Sequence, residues 1–330
     1  MTADALNPEL VLTLRVQSAR FVATDIREIT LVAQDGAELP AFTPGAHLLV
    51  QAPNGVTRRY SLTNASTERD RYVIAVKREA SGRGGSISVV DELQPGDLVH
   101  VSLPRNEFEL SESAPGYLFI AGGIGITPIR SMLQRVRALG KPFRLFYLTR
   151  EPSLTAFHDE WSAPEWREHV VVHHDFGDPA RSYDLWPVLE KPNGMHVYCC
   201  GPKGLMEAVQ DMTGHWPTSA IHFEDFGAGT TVHRPDDTPF VVRMGADGPP
   251  IAVAADTSIL EALRAHGHRL PSSCESGTCG TCRMRLLAGE AEHRDFVLSD
   301  EERKCEIMVC VSRARSPELV VDRLRESQAQ

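Results

Sequence analysis

The sequence predicts a multidomain protein with an antiparallel β-barrel, then an α/β domain built on a parallel sheet, then a small α+β domain. Three observations predict this order: short alternating strands, then apolar strands alternating with helices, then a cysteine-rich loop beyond a linker. The chain has 330 residues. That length exceeds what a single hydrophobic core usually supports, so several domains are expected.

Composition narrows the class of protein. Hydrophobic residues make up 42% and charged residues 24% of the chain, which is typical of a globular protein. The net charge is -10, and no basic stripe is present, which argues against nucleic-acid binding. No apolar run approaches the roughly 20 residues of a membrane-spanning helix. The N-terminal segment carries Asp4 and no apolar core, so we expect no secretory signal and a cytoplasmic location.

The first predicted domain covers residues 1–112. Residues 45–50 and 71–77 alternate apolar and polar side chains, and turn residues separate such segments, which favours a small antiparallel barrel. A helix is expected over residues 86–93, because Pro95 and Gly96 directly follow it.

The second predicted domain covers residues 113–228. Compact apolar runs predict strands, and helical patterns over 128–139 and 203–212 lie between them; the runs are residues 117–121, 143–149, 170–173, 196–200 and 220–223. This alternation predicts a parallel sheet covered on both faces. Residues 227–239 have linker composition, and the third domain, 238–330, is expected to contain a helix near 258–266.

The cysteines carry the strongest local signal. Four of the seven cysteines follow the C-x4-C-x2-C…C spacing with which plant-type ferredoxins hold two irons: Cys274, Cys279, Cys282 and Cys310. A structural zinc site is the alternative, but such sites usually contain a second C-x2-C pair, which this sequence lacks. We interpret Cys305 as a thiol that is not a ligand, and Cys199 as a buried structural thiol.

Two turns in the second domain are candidates for dinucleotide binding. Gly122, Gly123 and Gly125 lie between a strand and a helix that Thr127 is expected to cap. Their spacing departs from G-x-G-x-x-G, so this turn alone leaves open an ordinary strand-end turn. Gly201 and Pro202 form a second strand-to-helix turn, and ligands bind at such carboxyl ends of parallel strands.

The triplet His173, His174 and Asp175 admits more than one interpretation. It looks like a metal site, but adjacent strand residues point to opposite faces, which disfavours one. Asp175 ends a strand, where it either contacts an adenine ribose or is a solvated turn residue.

Phosphate-binding features also occur in the first domain. Arg58 and Tyr60 lie two residues apart on a strand and project to one face, where a cation and an aromatic ring together suit a flavin phosphate and ring. The glycine-rich segment 82–86 opens a helix and offers a second contact for phosphate.

These motifs, in this order, resemble the phthalate dioxygenase reductase family, whose members feed Rieske-type oxygenases. The resemblance covers nearly the whole chain, and the segments that carry it are 58–61, 72–78, 82–86, 121–128, 198–202 and 271–280. It implies FMN in the barrel, NADH in the parallel-sheet domain and a 2Fe-2S cluster in a C-terminal β-grasp domain.

The resemblance also implies roles for individual residues. The FMN phosphate would contact Arg58, Gly84, Gly85 and Ser86. Tyr60 and Ser61 would lie along the isoalloxazine, with further cofactor contacts from Ala75, Val76 and Lys77, and Phe226 would flank the flavin. NADH would lie on Gly122, Gly123, Gly125, Thr127, Gly201 and Pro202. From their strand-end positions, we expect Thr127 and Cys200 at the nicotinamide–flavin junction, where Cys200 tunes the site and is not a nucleophile.

The expected activity is therefore NADH-dependent electron transfer through FMN and the 2Fe-2S cluster. The implied partner is a Rieske-type oxygenase, phthalate dioxygenase foremost, or else a related oxygenase or O-demethylase such as vanillate demethylase. A monomer is expected. A self-sufficient oxygenase would need a C-x-H…C-x-x-H pair, which the sequence lacks. A redox sensor or electron store without turnover stays an alternative that only an activity measurement separates.

Overall fold

The computed structural model describes residues 9–80, 84–226, 234, 236–272 and 274–324. The chain forms two compact units, Met1–His222 and Phe223–Gln330. The finer division at residues 112, 228 and 238 remains a prediction. In the described ranges, no helix is both long enough and apolar enough to cross a bilayer.

The first unit begins with a six-stranded antiparallel sheet. Its strands are β1 (Leu12–Ala23), β2 (Ile26–Ala33), β3 (His47–Gln51), β4 (Thr57–Ser61), β5 (Tyr72–Lys77) and β6 (Leu98–Val101), in the order β4-β3-β6-β1-β2-β5. An antiparallel bridge between Leu62 and Ile74 joins the two edges, so the sheet closes into the predicted barrel. Helix α1 (Gly85–Glu92) begins one residue before its predicted start.

A parallel sheet follows in the same unit. Strands β7 (Tyr117–Gly122), β8 (Phe143–Thr149), β9 (Val170–His174), β10 (His196–Cys200) and β11 (Ile221–Glu224) have the order β11-β10-β7-β8-β9. The pairs β10–β7, β7–β8 and β8–β9 are parallel. The helices are α2 (Ile126–Ala138), α3 (His158–Trp161), α4 (Trp186–Leu189) and α5 (Lys203–Thr213).

Helix α2 packs against both the sheet and the barrel. Its buried residues Ile126, Ile129 and Leu133 recur at helical spacing and share one cluster with Ala75 of β5. The Ser131 hydroxyl donates to the Asn64 carbonyl at 2.8 Å. These contacts place strand β5 of the barrel beside the turn that opens α2.

The second unit is a small α+β fold. A mixed five-stranded sheet has the order β13-β12-β18-β14-β16, formed by β12 (Phe240–Met244), β13 (Ile251–Val253), β14 (Arg283–Ala288), β16 (Glu306–Met308) and β18 (Glu318–Asp322). Strands β15 (Ala291–Glu292) and β17 (Arg313–Ala314) form a separate pair. Helix α6 (Ile259–Ala265) begins with a capping box between Ser258 and Glu261, which explains why the predicted helix is formed there.

Candidate cofactor sites

Strand β4 carries two buried hydroxyl groups that lack a protein partner. The Tyr60 Oη and Ser61 Oγ atoms are buried, and neither has a hydrogen-bond partner among the described residues. Burial raises the pKa of Tyr60 to about 12, against the opposing effect of Arg58, so the phenol remains a neutral donor. Buried polar atoms are rarely left unpaired, so both hydroxyls fit a polar ligand such as flavin.

The N-terminus of α1, which lies against Arg58, suits a phosphate. A β-carbon on Gly85 would lie 3.0 Å from Arg58 Cγ, so the arginine stem packs directly on the first residue of α1. The preceding Gly84 adopts φ 81°, and its carbonyl accepts from Asn54 Nδ2 at 3.2 Å. The structure thus brings Arg58 to a helix N-terminus, as the sequence predicted, and adds Asn54, for which no motif gave a signal. Residues 82 and 83 lie outside the described residues.

Three residues of strand β5 were predicted to contact the cofactor. Ala75 and Val76 are buried, and they belong to different hydrophobic clusters on opposite faces of the strand. The Lys77 ammonium lies 3.9 Å from the Asp25 carboxylate. Their contacts with a cofactor remain predictions.

The two glycine turns of the parallel sheet touch each other. A β-carbon on Gly122 would lie 2.5 Å from Pro202 Cδ, and one on Gly201 would lie 2.9 Å from the Gly122 backbone nitrogen. A β-carbon on Gly125 would lie 2.0 Å from the Cys200 carbonyl oxygen. These three glycines are therefore required by the contact between the two turns, a reason that the sequence analysis missed.

Gly123 has a different role from its neighbours. Its φ is 53°, and a β-carbon there would meet nothing within 4 Å. It is thus the glycine of this turn that leaves open space beside the backbone, as the approach of a dinucleotide requires.

Thr127 does not cap α2, contrary to the sequence prediction. The helix begins at Ile126, and the Thr127 hydroxyl donates to the Ile124 carbonyl at 3.0 Å. The preceding 3-10 turn, Gly123–Gly125, supplies the start of the helix, so no side-chain cap is needed. Thr127 is buried beside Ile124, and its place at a nicotinamide junction remains a prediction.

The adjacent thiols of β10 point to opposite faces. Cys199 is fully buried, and burial raises the pKa of its thiol, which agrees with a structural role. Cys200 is also fully buried but belongs to the cluster that contains Ile126. The role of Cys200 in tuning the site remains a prediction.

Each residue of the candidate metal triplet, His173 to Asp175, has a different hydrogen-bond partner outside the triplet. His173 Nε2 lies 2.7 Å from the Arg181 carbonyl, whereas His174 Nδ1 lies 2.9 Å from Thr149 Oγ1. The Asp175 carboxylate accepts from the Gly177 amide at 2.8 Å, which closes a local turn.

In the second unit, the four cysteines form two pairs. Cys279 accepts a hydrogen bond from the Cys274 amide at 3.4 Å, and the thiol of Cys279 lowers the pKa of Cys274 to about 4. Cys310 likewise lowers the pKa of Cys282, while its own pKa is raised. The side chains within each pair are therefore hydrogen-bonded neighbours, an arrangement that suits one iron of a two-iron cluster to each pair.

Glycine and burial explain the shape of this loop. A β-carbon on Gly277 would lie 2.8 Å from Val311 Cγ2, so glycine lets the loop approach the turn after β16 that carries Cys310. Cys274, Cys282 and Cys310 are buried, whereas Cys279 is half-buried. Within the described ranges, no group of three or more His, Cys, Asp or Glu is arranged for a single metal ion.

Two further predicted residues lie in this unit. Cys305 is exposed, in agreement with a thiol that is not a ligand. Phe226 has 44% of its surface exposed, and its place beside a flavin remains a prediction.

Comparison with known proteins agrees with all three modules. An oxidoreductase FAD-binding domain model matches residues 13–110, an oxidoreductase NAD-binding domain model matches 119–211, and a 2Fe-2S iron-sulfur cluster binding domain model matches 246–315. Fold and sites together define an oxidoreductase that contains flavin and iron–sulfur modules and an NAD-binding domain.

Individual relatives give the family. Phthalate dioxygenase reductase of Burkholderia cepacia is 55% identical over 94% of this chain and 97% of its own. A solved structure of phthalate dioxygenase reductase, described as modular for electron transfer from pyridine nucleotides to [2Fe-2S], has a TM-score of 0.68 at 54% identity, covering 94% of this chain and 97% of that one. A vanillate O-demethylase oxidoreductase from a Pseudomonas strain is 38% identical over 93% and 98% of the two chains. The chain belongs to the phthalate dioxygenase reductase family.

Proposed function

We propose that this chain is an NADH-dependent reductase that passes electrons through FMN and its own 2Fe-2S cluster to a separate Rieske-type oxygenase, foremost phthalate dioxygenase. The observation that carries the proposal is that four thiols form two hydrogen-bonded pairs in a chain that also matches flavin-binding and NAD-binding domain models. The 55% identity to a phthalate dioxygenase reductase favours phthalate dioxygenase over other partners.

The need for a flavin follows from the number of electrons that each group transfers. Nicotinamide donates two electrons as a hydride and the cluster takes one at a time, so bound flavin supplies the conversion. The chain's own task is to bind and orient. Arg58 and the turn at Gly84 and Gly85 hold the flavin phosphate, and the Tyr60 and Ser61 hydroxyls bond to the flavin.

Orientation of the nicotinamide depends on the contact between β5 and the turn Gly123–Gly125. Ala75 of β5 and Ile126, which follows that turn, are buried in one hydrophobic cluster, so the strand is held beside the turn. Thr127 and Cys200 complete this junction. No side-chain acid or base is required, because hydride transfer moves no separate proton to the protein.

The choice of cofactors is supported by the family resemblance and by one acidic residue. Asp175 follows β9, and besides closing its local turn with the Gly177 amide its carboxylate would favour the free ribose hydroxyls of NADH over the 2′-phosphate of NADPH. Chromatography of flavin released from the purified protein tests FMN against FAD. The ratio of kcat/KM for NADH and NADPH, in the wild type and in Asp175→Asn, tests the coenzyme.

Reconstitution tests the partner. The purified reductase is mixed with the oxygenase of phthalate dioxygenase or with that of vanillate O-demethylase, and NADH-dependent product is measured. Faster turnover of phthalate supports the proposal, whereas product only from vanillate supports the second candidate, which the 38% identical relative favours. Cys282→Ser, which removes one thiol of a pair, is the control for transfer through the cluster.

Turnover separates a reductase from a redox store. Steady NADH oxidation with ferricyanide or cytochrome c is expected, and a single stoichiometric reduction without turnover would contradict the proposal. We also propose that the chain acts as a monomer in the cytoplasm. Sedimentation of the holoprotein and fractionation of the producing cells test these two points.

A further inference from the structure

The cluster loop contains a residue in an unfavourable backbone conformation. Glu275, directly after Cys274, has φ 52°. A residue with a β-carbon is destabilised in the left-handed region, which glycine enters freely. Glutamate has no special tendency to adopt this conformation, so contacts elsewhere must hold it there.

Arg264 of helix α6 supplies these contacts. Its Nη1 atom donates to Glu275 Oε1 at 2.9 Å. Its Nη2 atom donates to the Leu270 carbonyl at 2.9 Å and to Ser272 Oγ at 2.5 Å. The Ser272 hydroxyl in turn donates to Glu275 Oε1 at 2.5 Å. The guanidinium group of Arg264 therefore links helix α6 to residues on both sides of Cys274, namely Ser272 before it and Glu275 after it.

The turn at Glu275 aims a backbone donor at sulfur. The Ser276 amide, which follows it, donates to Cys274 Sγ at 3.4 Å. Hydrogen bonds to the sulfurs of an iron–sulfur cluster stabilise its reduced form and so raise its reduction potential. The direction of this amide depends on the left-handed φ of the residue before it.

We propose that Arg264 is a positioning residue for the cluster: by holding the Glu275 carboxylate it maintains the left-handed turn that directs the Ser276 amide at Cys274, and it thereby sets the reduction potential. This inference rests on the proposed function, since it requires a cluster on the four cysteines. Among the described residues, Arg264 hydrogen-bonds to Glu275, Leu270 and Ser272 and to none of the four cysteines, so its role is indirect.

The magnitudes are consistent with this role. The Arg264 and Glu275 side chains are 39% and 45% exposed, and an ion pair so exposed is weak by itself. The further hydrogen bonds of the guanidinium to Leu270 and Ser272 are therefore needed to hold the turn. Without this fork of donors, the cost of the left-handed residue is unopposed and the loop relaxes.

The test compares the reduction potential of the cluster in variants of Arg264 that keep or remove its charge and its planar group of donors. In holoprotein, the midpoint potential of the cluster is measured by electron paramagnetic resonance during a reductive titration. Arg264→Lys keeps the charge and loses the fork, and we expect a lower potential. Arg264→Gln should lower it further.

Two double variants separate the turn from the charge. Arg264→Gln/Glu275→Gly and Arg264→Gln/Glu275→Ala carry the same net charge, but only glycine adopts φ 52° without cost. We expect the glycine variant to return to the wild-type potential and the alanine variant to stay low. Equal potentials for the two doubles, or a wild-type potential in Arg264→Lys, would overturn the inference.

Further measurements distinguish a change in reduction potential from a failure to assemble the cluster. Iron content and visible absorption show whether each variant assembles its cluster; if Arg264→Gln does not, Arg264→Lys decides the test. The rate of flavin reduction by NADH should be unchanged in all variants. A wild-type protein without any two-iron signal would instead contradict the proposed function, and the two failures are thus distinguishable.

Discussion

The carbonyl oxygen of Cys200 lies 2.0 Å from the position that a β-carbon would take on Gly125. No real β-carbon approaches a carbonyl oxygen so closely, and both partners are backbone, so neither can move away alone. The two strand-end turns proposed to bind the nucleotide therefore depend on glycine to touch each other. This contact leads to the first prediction.

Gly125→Ala should force the two turns apart. We expect a loss of about 3 kcal/mol in the free energy of unfolding and a strong loss of flavin reduction by NADH. Gly204→Ala is the matched control, because α5 presents nothing within 4 Å of that position. The control should keep its activity and gain up to about 1 kcal/mol from helix propensity. Thermal unfolding and stopped-flow absorbance check both variants.

Tyr60→Phe should weaken flavin binding without destabilising the apoprotein. The hydroxyl it removes is buried and has no partner among the described residues, so its loss leaves no protein group unpaired. A lost hydrogen bond of about 1.4 kcal/mol raises the Kd for FMN about tenfold. Quenching of flavin fluorescence measures this.

Tyr72→Phe provides the contrast to that variant. The Tyr72 hydroxyl donates to the Pro40 carbonyl at 2.5 Å, so its removal should lower apoprotein stability and leave the Kd for FMN unchanged. An opposite pattern in the two variants would show that the Tyr60 hydroxyl does not face the cofactor.

Cys200→Ser should slow hydride transfer from NADH to flavin about tenfold, a barrier increase of about 1.4 kcal/mol. Its side chain belongs to the cluster that contains Ile126, beside the nucleotide turn. The neighbouring Cys199 points to the other face, so Cys199→Ser should reduce stability but keep the rate. Single-turnover measurement checks the pair, and an unchanged rate in Cys200→Ser means that this thiol does not tune the site.

Cys305→Ser should retain the complete cluster. Cys305 is exposed, whereas Cys282 is buried and paired with Cys310. We expect wild-type iron content and an unchanged paramagnetic signal in Cys305→Ser, and loss of both in Cys282→Ser. Loss of iron in Cys305→Ser would show that the ligand set has been wrongly assigned.

Buried His47 should make the barrel sensitive to acid. Burial, with help from Arg59 and Arg105, lowers its pKa from 6.5 to about 4. Because the unfolded chain binds the proton more readily, the stabilisation is complete above pH 6.5 and is lost as the pH falls toward 4. The loss amounts to about 3 kcal/mol at most. His47→Gln should flatten the fall in melting temperature over this range, whereas the exposed His158→Gln should not; identical profiles would contradict the prediction.

Much of the molecule could be predicted from the sequence alone. Strands Phe143–Thr149 and His196–Cys200 have the predicted bounds, because central strands of a parallel sheet are apolar throughout and end abruptly at turns. The 2Fe-2S domain was also predictable, because the C-x4-C-x2-C…C spacing lets one loop wrap a small cluster, and the 2Fe-2S cluster binding domain model matches residues 246–315. Local patterns of this kind need no knowledge of distant contacts.

Only the tertiary structure decided why particular residues are needed. The glycines at 122, 125 and 201 serve the contact between two turns that lie far apart in sequence. The hold of Arg264 on the loop at Glu275 depends on a packed helix, and the unpaired hydroxyl of Tyr60 depends on how the barrel buries it. Sequence periodicity reports which residues share an element, whereas close approach, burial and hydrogen-bond partners arise only when separate elements pack together.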